Sequence, residues 1–383
     1  MHRVVRKAML ITNIPNPYRV PLFNELHKLL EEAGISLLVV FGALGYERRK
    51  FRLDMSECEF PYTVLPTRKI QYRNSEKISF TYSGLLALVR QENPDVIVTN
   101  AFSRATLKLW FRSWFRPTPY VIWSGAIRNG RDKLSFARKI QRRLIVSKAE
   151  GFIVYGNLAK EYLVALGAHE EEVSVGINTV DTEFYYTRTR HIRREQSGKD
   201  RNKILLCVTY LEPRKHVESL MHIVRYLSGM REDFRLVILG DGPELGHLQD
   251  LAGDLGIAQF VSFEGFVQKA DIPGYMAGAD VFLFPTKFDI WGLVLVEAMA
   301  AGLPCIASIH AGATHDLVRE GETGFAADFD DDEYIAGKIN WLLDNPNIAL
   351  QIGEASARMI RKDVCLEKSA EGFVDGIKKA LKY

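Results

Sequence analysis

Two carboxylates eight positions apart, Asp289 and Glu297, stand on either side of Gly292. Glu297 is the only charge in the run Leu293–Ala301, set among Val294, Val296, Ala298 and Ala301. An unpaired carboxylate in apolar surroundings is costly, so Glu297 requires a partner. The run is apolar on every side, as a fully buried helix is, and Gly302 ends it. Its first amides, near Gly292 and Leu293, then face outward at a helix N-terminus, where an anion is favoured. A carboxylate, an anion seat and a second carboxylate suit a ligand with sugar hydroxyls on both sides of a phosphate, and a nucleotide sugar is such a ligand. On spacing alone another reading stands beside it, in which Glu297 bonds a neighbouring backbone group and Asp289 merely caps the helix.

The elements around this stretch are those of an α/β protein. Val281–Phe284 is a short apolar run before Pro285 and reads as a buried strand, Lys287–Trp291 as a loop, and Leu303–Ser308 as the next strand. Upstream, strands are expected at Lys7–Asn13, Ile35–Phe41, Tyr62–Leu65, Val96–Thr99, Tyr120–Trp123 and Gly151–Val154. Helices are expected at Pro21–Glu32 and around Thr81–Gln91. Strands alternating with helices at this spacing predict a parallel sheet. Ligands of such sheets bind beyond the C-terminal strand ends, which directs attention to Asn13–Arg19, Asn100–Arg104, Ser124–Asn129 and Tyr155–Asn157. After a second apolar run, Ile204–Val208, comes Tyr210–His216. A further strand, Leu236–Leu239, is closed by Gly240-Asp241-Gly242.

The stretch from Asp289 to Glu297 resembles the carboxylate-x7-Glu motif of the retaining glycosyltransferases of family 4, which have the GT-B fold. That resemblance implies that Glu297 binds the ribose hydroxyls of a nucleotide sugar. It implies that the amides of Gly292, Leu293 and Val294 hold the diphosphate, and that Asp289, where Glu is usual, contacts the donor sugar. Tyr210–His216 resembles the family's Gly-Arg-Leu-x-x-x-Lys-Gly segment. Lys215 matches its diphosphate-gripping Lys. Tyr210 occupies the Arg position, and Arg214 stands where it could compensate. Val261–Val267, with Phe266, looks like the strand and loop that meet the donor's base, and Gly240 lies at the preceding strand-to-helix turn. Asn178-Thr179-Val180-Asp181 resembles the family's Asn-Gly-Val-Asp segment. Gly312, Asp316, Gly321 and Gly324 fit its later turns.

The chain also departs from the family pattern. Pro17-Tyr18-Arg19 replaces a Gly-rich loop after the first strand, so Arg19 could bind phosphate or acceptor there, or be a surface arginine. Trp123-Ser124-Gly125-Ala126 lacks the His that many relatives carry near the sugar's reactive carbon. No catalytic histidine is assigned, and Arg128 is a weaker candidate nearby.

The resemblance implies two Rossmann-like domains with parallel sheets facing an interdomain cleft. Residues 1–186 would form the acceptor-side domain, 187–202 a polar, charge-rich linker, and 203–365 the nucleotide-sugar-binding domain. A last helix, 366–383, would pack back on the first domain. The reaction implied is retaining transfer of a hexose from a UDP- or GDP-sugar to an acceptor hydroxyl. The nucleotide sugar is a co-substrate, and no cofactor or metal is expected. A nucleotide-sugar epimerase of the same fold, and a sensor that binds the donor without turnover, are the alternatives.

Composition bounds the rest. At 383 residues, 47% hydrophobic and 25% charged, the chain can build two full cores. Residues 1–186 hold 27 Lys/Arg against 18 Asp/Glu and residues 187–383 hold 23 against 29, so the basic surplus lies in the first half. Leu107–Arg116 is basic and aromatic together, and Arg138, Lys139, Arg142 and Arg143 follow. Such a segment fits an anionic membrane surface, and equally a sheet-packed helix whose arginines snorkel to solvent. The expected acceptor is accordingly a lipid-linked saccharide or glycolipid. Nucleic acid is not expected, because no binding motif for it is visible. Cys58, Cys207, Cys305 and Cys365 show neither metal spacing nor a disulfide rhythm, which suits a reducing compartment. Ala8–Asn13 is too short for the apolar core of a signal peptide, and no run is long enough to span a membrane, so a cytoplasmic protein working at the inner membrane face is expected.

Overall fold

A computed structural model describes residues 6–45, 54–71, 78–116, 118–128, 135–196 and 202–382. Asn129 and residues 197–201 of the expected linker lie outside these. The chain divides into two units, residues 1–180 with 366–383, and residues 181–365.

In the first unit the apolar runs become strands because their Val, Ile and Leu side chains are covered on both faces, as a parallel sheet requires. The strands are β1 (Arg6–Thr12), β2 (Ile35–Phe41), β3 (Tyr62–Val64), a short antiparallel hairpin β4 (Lys69–Gln71) and β5 (Ile78–Phe80), then β6 (Val96–Asn100), β7 (Tyr120–Ser124), β8 (Gly151–Val154) and β9 (Val173–Val175). Seven of them form one parallel sheet in the order β3-β2-β1-β6-β7-β8-β9. The sequence reading misses the hairpin, whose two strands of three residues carry no apolar period. The helix read at Thr81–Gln91 runs Leu85–Glu92 instead, starting at the left-handed Gly84.

The helix Leu366–Leu381 belongs to this unit. Its Phe373 ring meets Trp123 edge-on at 5.0 Å, and its Asp375 accepts a 2.6 Å hydrogen bond from the Ser174 hydroxyl.

The basic aromatic helix, Arg104–Ser113, buries one apolar face and leaves aromatic side chains at its C-terminal end in solvent. Ala105 and Leu109 pack inward, while Phe111, Trp114 and Phe115 stand exposed. Beside it the helix Phe136–Val146 buries only Ile145 and Val146 and exposes Phe136, Ile140 and Leu144.

The second unit holds β10 (Lys203–Val208), β11 (Phe234–Leu239), β12 (Val261–Gly265), β13 (Val281–Phe284), β14 (Cys305–Ser308) and β15 (Phe325–Ala327), all parallel, in the order β12-β11-β10-β13-β14-β15. β13 and the helix Leu293–Ala300 lie where the apolar runs place them.

The expected linker requires correction. Residues Thr182–Gln196 form a helix of the second unit, packed against the helices Ile272–Gly278 and Leu293–Ala300, and Asp181 accepts from the Phe184 N–H at its start. No hydrophobic period announces this helix because its inward face is made of the buried Tyr185 and Thr189 and the half-buried Arg193. The Arg193 guanidinium donates to the carbonyls of Met276 and Ala301, at 3.2 and 3.1 Å, and so satisfies the open C-terminal ends of both neighbours.

Candidate active site

Four strand ends of the second sheet carry the candidate residues. After β10 the chain makes a tight 3-10 turn, Pro213–Lys215, and His216 adopts a left-handed conformation (φ 54°) that starts the next helix. After β13 the segment Thr286–Trp291 is fastened to that turn. The Lys287 N–H and the Thr286 hydroxyl both donate to the Arg214 carbonyl, at 3.0 and 3.2 Å. The Asp289 N–H donates to His310 O and the Gly312 N–H to Asp289 O, which fixes the segment from the β14 side.

The result is an ion pair. Lys215 Nζ donates to Asp289 Oδ2 at 2.6 Å, with both side chains largely buried. Burial pushes the Asp289 carboxyl up, but Lys215, Arg214 and the Trp291 N–H together outweigh it and hold the group below the usual carboxylate range. Arg214 is committed nearby. It donates to the buried Glu212 carboxylate at 2.5 Å and to Phe288 O at 2.9 Å, and lies 3.9 Å from Asp289. Its work in this structure is to neutralise Glu212 and pin the loop.

Gly292 follows, at φ 112°, where a Cβ would lie 2.6 Å from Phe284 Cζ, so only glycine fits. The helix Leu293–Ala300 starts there with no side-chain cap and no acidic residue in its first turn. Its leading N–H groups therefore have no partner within the helix. Gly240, at φ 144°, lies so close to the β10 end that a Cβ would fall 1.7 Å from Thr209 O. Phe266, just beyond β12, is exposed.

One turn into the helix, Glu297 is half-buried, neither sealed in the interior nor free. Burial raises its carboxyl to about 7, against the pull of the Tyr185 hydroxyl that hydrogen-bonds it and of Lys269. Tyr185, itself pushed far up by burial and by Glu297, is the partner that buried-charge reasoning demands. Sequence reading missed it, because it sits in the stretch taken as domain end and linker.

The structure thus gathers Lys215, Arg214, Asp289, Gly292, Leu293, Val294, Glu297, Gly240 and Phe266 at one end of one sheet. Arg19 belongs to the other unit, where it is buried rather than on the surface, while Arg128 is exposed.

Residues 189–359 match the family described as Glycosyl transferases group 1. This part of the chain is similar to group 1 glycosyl transferases. It is 34% identical over 169 residues to a GDP-mannose-dependent alpha-(1-6)-phosphatidylinositol monomannoside mannosyltransferase of Mycolicibacterium smegmatis, a match covering 42% of this chain and 44% of that one. This chain thus spans less than half the length of that relative. An MMP alpha-(1->4)-mannosyltransferase of Mycolicibacterium hassiacum is 25% identical over 347 residues, 90% of this chain and 77% of that one. Among solved structures, Anabaena HepE in complex with UDP superposes with a TM-score of 0.75 at 19% identity, over 97% of this chain and 99% of that one. A glycosyltransferase from Rickettsia africae superposes with 0.75 at 13% identity, over 99% and 100%. The fold is GT-B, and the matched residues 189–359 fall within the second unit, which holds the lysine–aspartate pair.

Proposed function

We propose that the protein is a retaining hexosyltransferase that moves a sugar from a nucleoside-diphosphate sugar to an acceptor hydroxyl. The observation that carries this reading is the arrangement of a cation, Lys215, and an uncapped helix start on one side of a half-buried carboxylate, Glu297, that already has a hydroxyl as its partner. Lys215 and the amides of Gly292, Leu293 and Val294 receive the diphosphate, and Glu297 receives the ribose hydroxyls in the manner in which it now receives that of Tyr185. Asp289 binds the donor sugar. As the bond from the anomeric carbon to the diphosphate oxygen breaks, charge grows on that oxygen, and preorganised donors stabilise it without a metal ion. The acceptor oxygen bonds to the anomeric carbon on the same face, and its proton passes to the leaving phosphate.

The named relatives favour GDP-mannose as the first donor to test. The acceptor is a lipid-linked saccharide, presented at an anionic membrane surface on the cytoplasmic side. Support comes from Phe111, Phe115 and Phe136, which are 61%, 73% and 78% exposed on or just beyond two neighbouring helices that carry basic residues and no acidic ones. No described helix is long and apolar enough to cross a membrane.

A thermal-shift panel of GDP-mannose, UDP-glucose and UDP-N-acetylglucosamine tests the donor, since a ligand of the native state raises Tm. One of them is expected to raise Tm in the wild type and not in Glu297→Ala. No response to any of them overturns the reading.

A further inference from the structure

Arg19 is 8% exposed at the centre of the first unit's sheet, and no carboxylate faces it among the described residues. Its Nη2 donates to the Tyr155 hydroxyl at 2.8 Å and its Nη1 to Thr12 Oγ1 at 3.3 Å. The guanidinium carbon lies 4.1 Å from the centre of the Trp123 ring and 5.5 Å from that of Tyr18. These partners are hydroxyls and aromatic rings, and burial pushes the Tyr155 phenol up. Three buried polar atoms in the same neighbourhood have no partner: Arg19 Nε, Asn16 Oδ1 and Trp123 Nε1. Asn16 is 7% exposed, and its carbonyl accepts the Arg19 N–H.

The cluster is built rather than incidental. Thr12 ends β1, Trp123 lies in β7 and Tyr155 follows β8, so three strands deliver their C-terminal ends to one guanidinium. Tyr155 can stand there only because residue 125 is glycine. A Cβ on Gly125 would lie 2.1 Å from the Tyr155 ring. Burying a cation with neutral partners alone costs free energy that a counter-ion would return. A guanidinium with an open Nε matches a phosphate, which accepts from several N–H groups at once.

We propose that Arg19, framed by Asn16, Trp123 and Tyr155, is a phosphate-binding site built by the first unit. The phosphate belongs either to a lipid-linked acceptor or to the nucleotide donor. The proposal rests on the transferase reading only in its choice of these two sources. Its chemistry stands on the unpaired buried cation.

The test uses the full chain, with thermal shift and calorimetry on the wild type, Arg19→Gln and Lys215→Ala. The probes are geranyl phosphate, GDP and inorganic phosphate. Geranyl phosphate is expected to raise Tm in the wild type and in Lys215→Ala, and its affinity is expected to fall at least tenfold in Arg19→Gln. If GDP rather than geranyl phosphate loses tenfold in Arg19→Gln, the site stands and its phosphate comes from the donor. A folded Arg19→Gln that binds all three probes as the wild type does makes Arg19 a purely structural cation and overturns the proposal. Should Arg19→Gln fail to fold, Lys215→Ala decides: loss of every probe's effect in that variant overturns the site at Arg19. GDP binding unaltered in Lys215→Ala counts against the donor reading instead, and leaves Arg19 to the geranyl phosphate result.

Discussion

The Tyr185 hydroxyl hydrogen-bonds the Glu297 carboxylate, and so joins the first helix of the second unit to the helix on which the donor reading rests. This bond does two things at once. It pays part of the cost of a half-buried carboxylate, and it aims that carboxylate before any ligand arrives. With its carboxyl near 7, Glu297 exchanges its proton in the physiological range.

Donor affinity should therefore depend on pH. Ribose hydroxyls donate best to the ionised carboxylate, so affinity falls as pH drops through about 7. Stability runs the other way. The folded carboxyl is raised above its unfolded value, so its contribution is fully present below the unfolded value of 4.5 and is lost as pH rises from there through about 7. Glu297→Gln should flatten both profiles. Tyr185→Phe removes a donor that favours the ionised form, so the affinity midpoint should move to higher pH while the fold is kept. Calorimetric titration of GDP between pH 5.5 and 8.5 checks this, and a midpoint unmoved in Tyr185→Phe denies the bond any part in tuning Glu297.

Lys215→Ala should reduce kcat by about 100- to 1000-fold, the usual effect of deleting one donor to developing charge. Its second effect falls on Asp289, which is held ionised against burial chiefly by Lys215. A carboxyl with a lowered folded value stabilises the protein above its unfolded value, and that contribution is lost as pH falls through the folded value. The wild type should thus be more stable than Lys215→Ala at neutral pH, and the gap should close in acid below the ordinary Asp range. Denaturant melts at pH 7 and pH 3 measure it, and an equal gap at both shows that the pair gives no net ionic stabilisation.

How much of this was legible in the residues varies with the physics of each element. β13 and the Leu293–Ala300 helix were readable because a continuous apolar run ended by proline or glycine admits few alternatives. The demand that Glu297 have a partner was readable too, since it follows from the cost of buried charge alone. Which residue answers it was not, because Tyr185 is more than a hundred positions away on a helix without a hydrophobic period. That helix turns a half-buried guanidinium and a buried threonine inward where a pattern search asks for leucine. Arg19 was readable only as a choice between a phosphate ligand and a surface arginine, for nothing local records that Trp123 and Tyr155 come to enclose it.

Gly292→Ala tests the geometry of the anion seat without touching a charge. The added methyl must take a φ of 112° and meets the Phe284 ring at 2.6 Å. Backbone strain and overpacking together should cost at least about 2 kcal/mol. That lowers Tm by roughly 4 °C or more for a unit of this size. Because the helix start shifts with it, donor affinity should fall as well. A variant with wild-type Tm and affinity would show that the turn before Leu293 relaxes freely, and the preorganisation argued for its amides would then be lost.

The exposed aromatics of the first unit give the last expectation. Phe111, Trp114 and Phe115 leave the end of one helix, and Phe136, Ile140 and Leu144 line the next. Lys148 lies 4.5 Å from the centre of the Trp114 ring, and Arg138, Lys139 and Arg143 are exposed among them. A surface of rings and cations gains from an anionic bilayer by burying the rings and by attraction at about 1 kcal/mol per basic residue near the lipid surface. The full chain should co-sediment with vesicles of phosphatidylglycerol and phosphatidylcholine, and less so as salt is raised. Phe111→Ser with Phe115→Ser should weaken binding at every salt concentration, and Arg138→Gln with Arg143→Gln should reduce the salt dependence. Both double variants should keep the wild-type Tm, since none of the four side chains is buried. Equal binding to neutral and anionic vesicles would remove the charge argument, and no binding to either would detach the acceptor proposal from this surface.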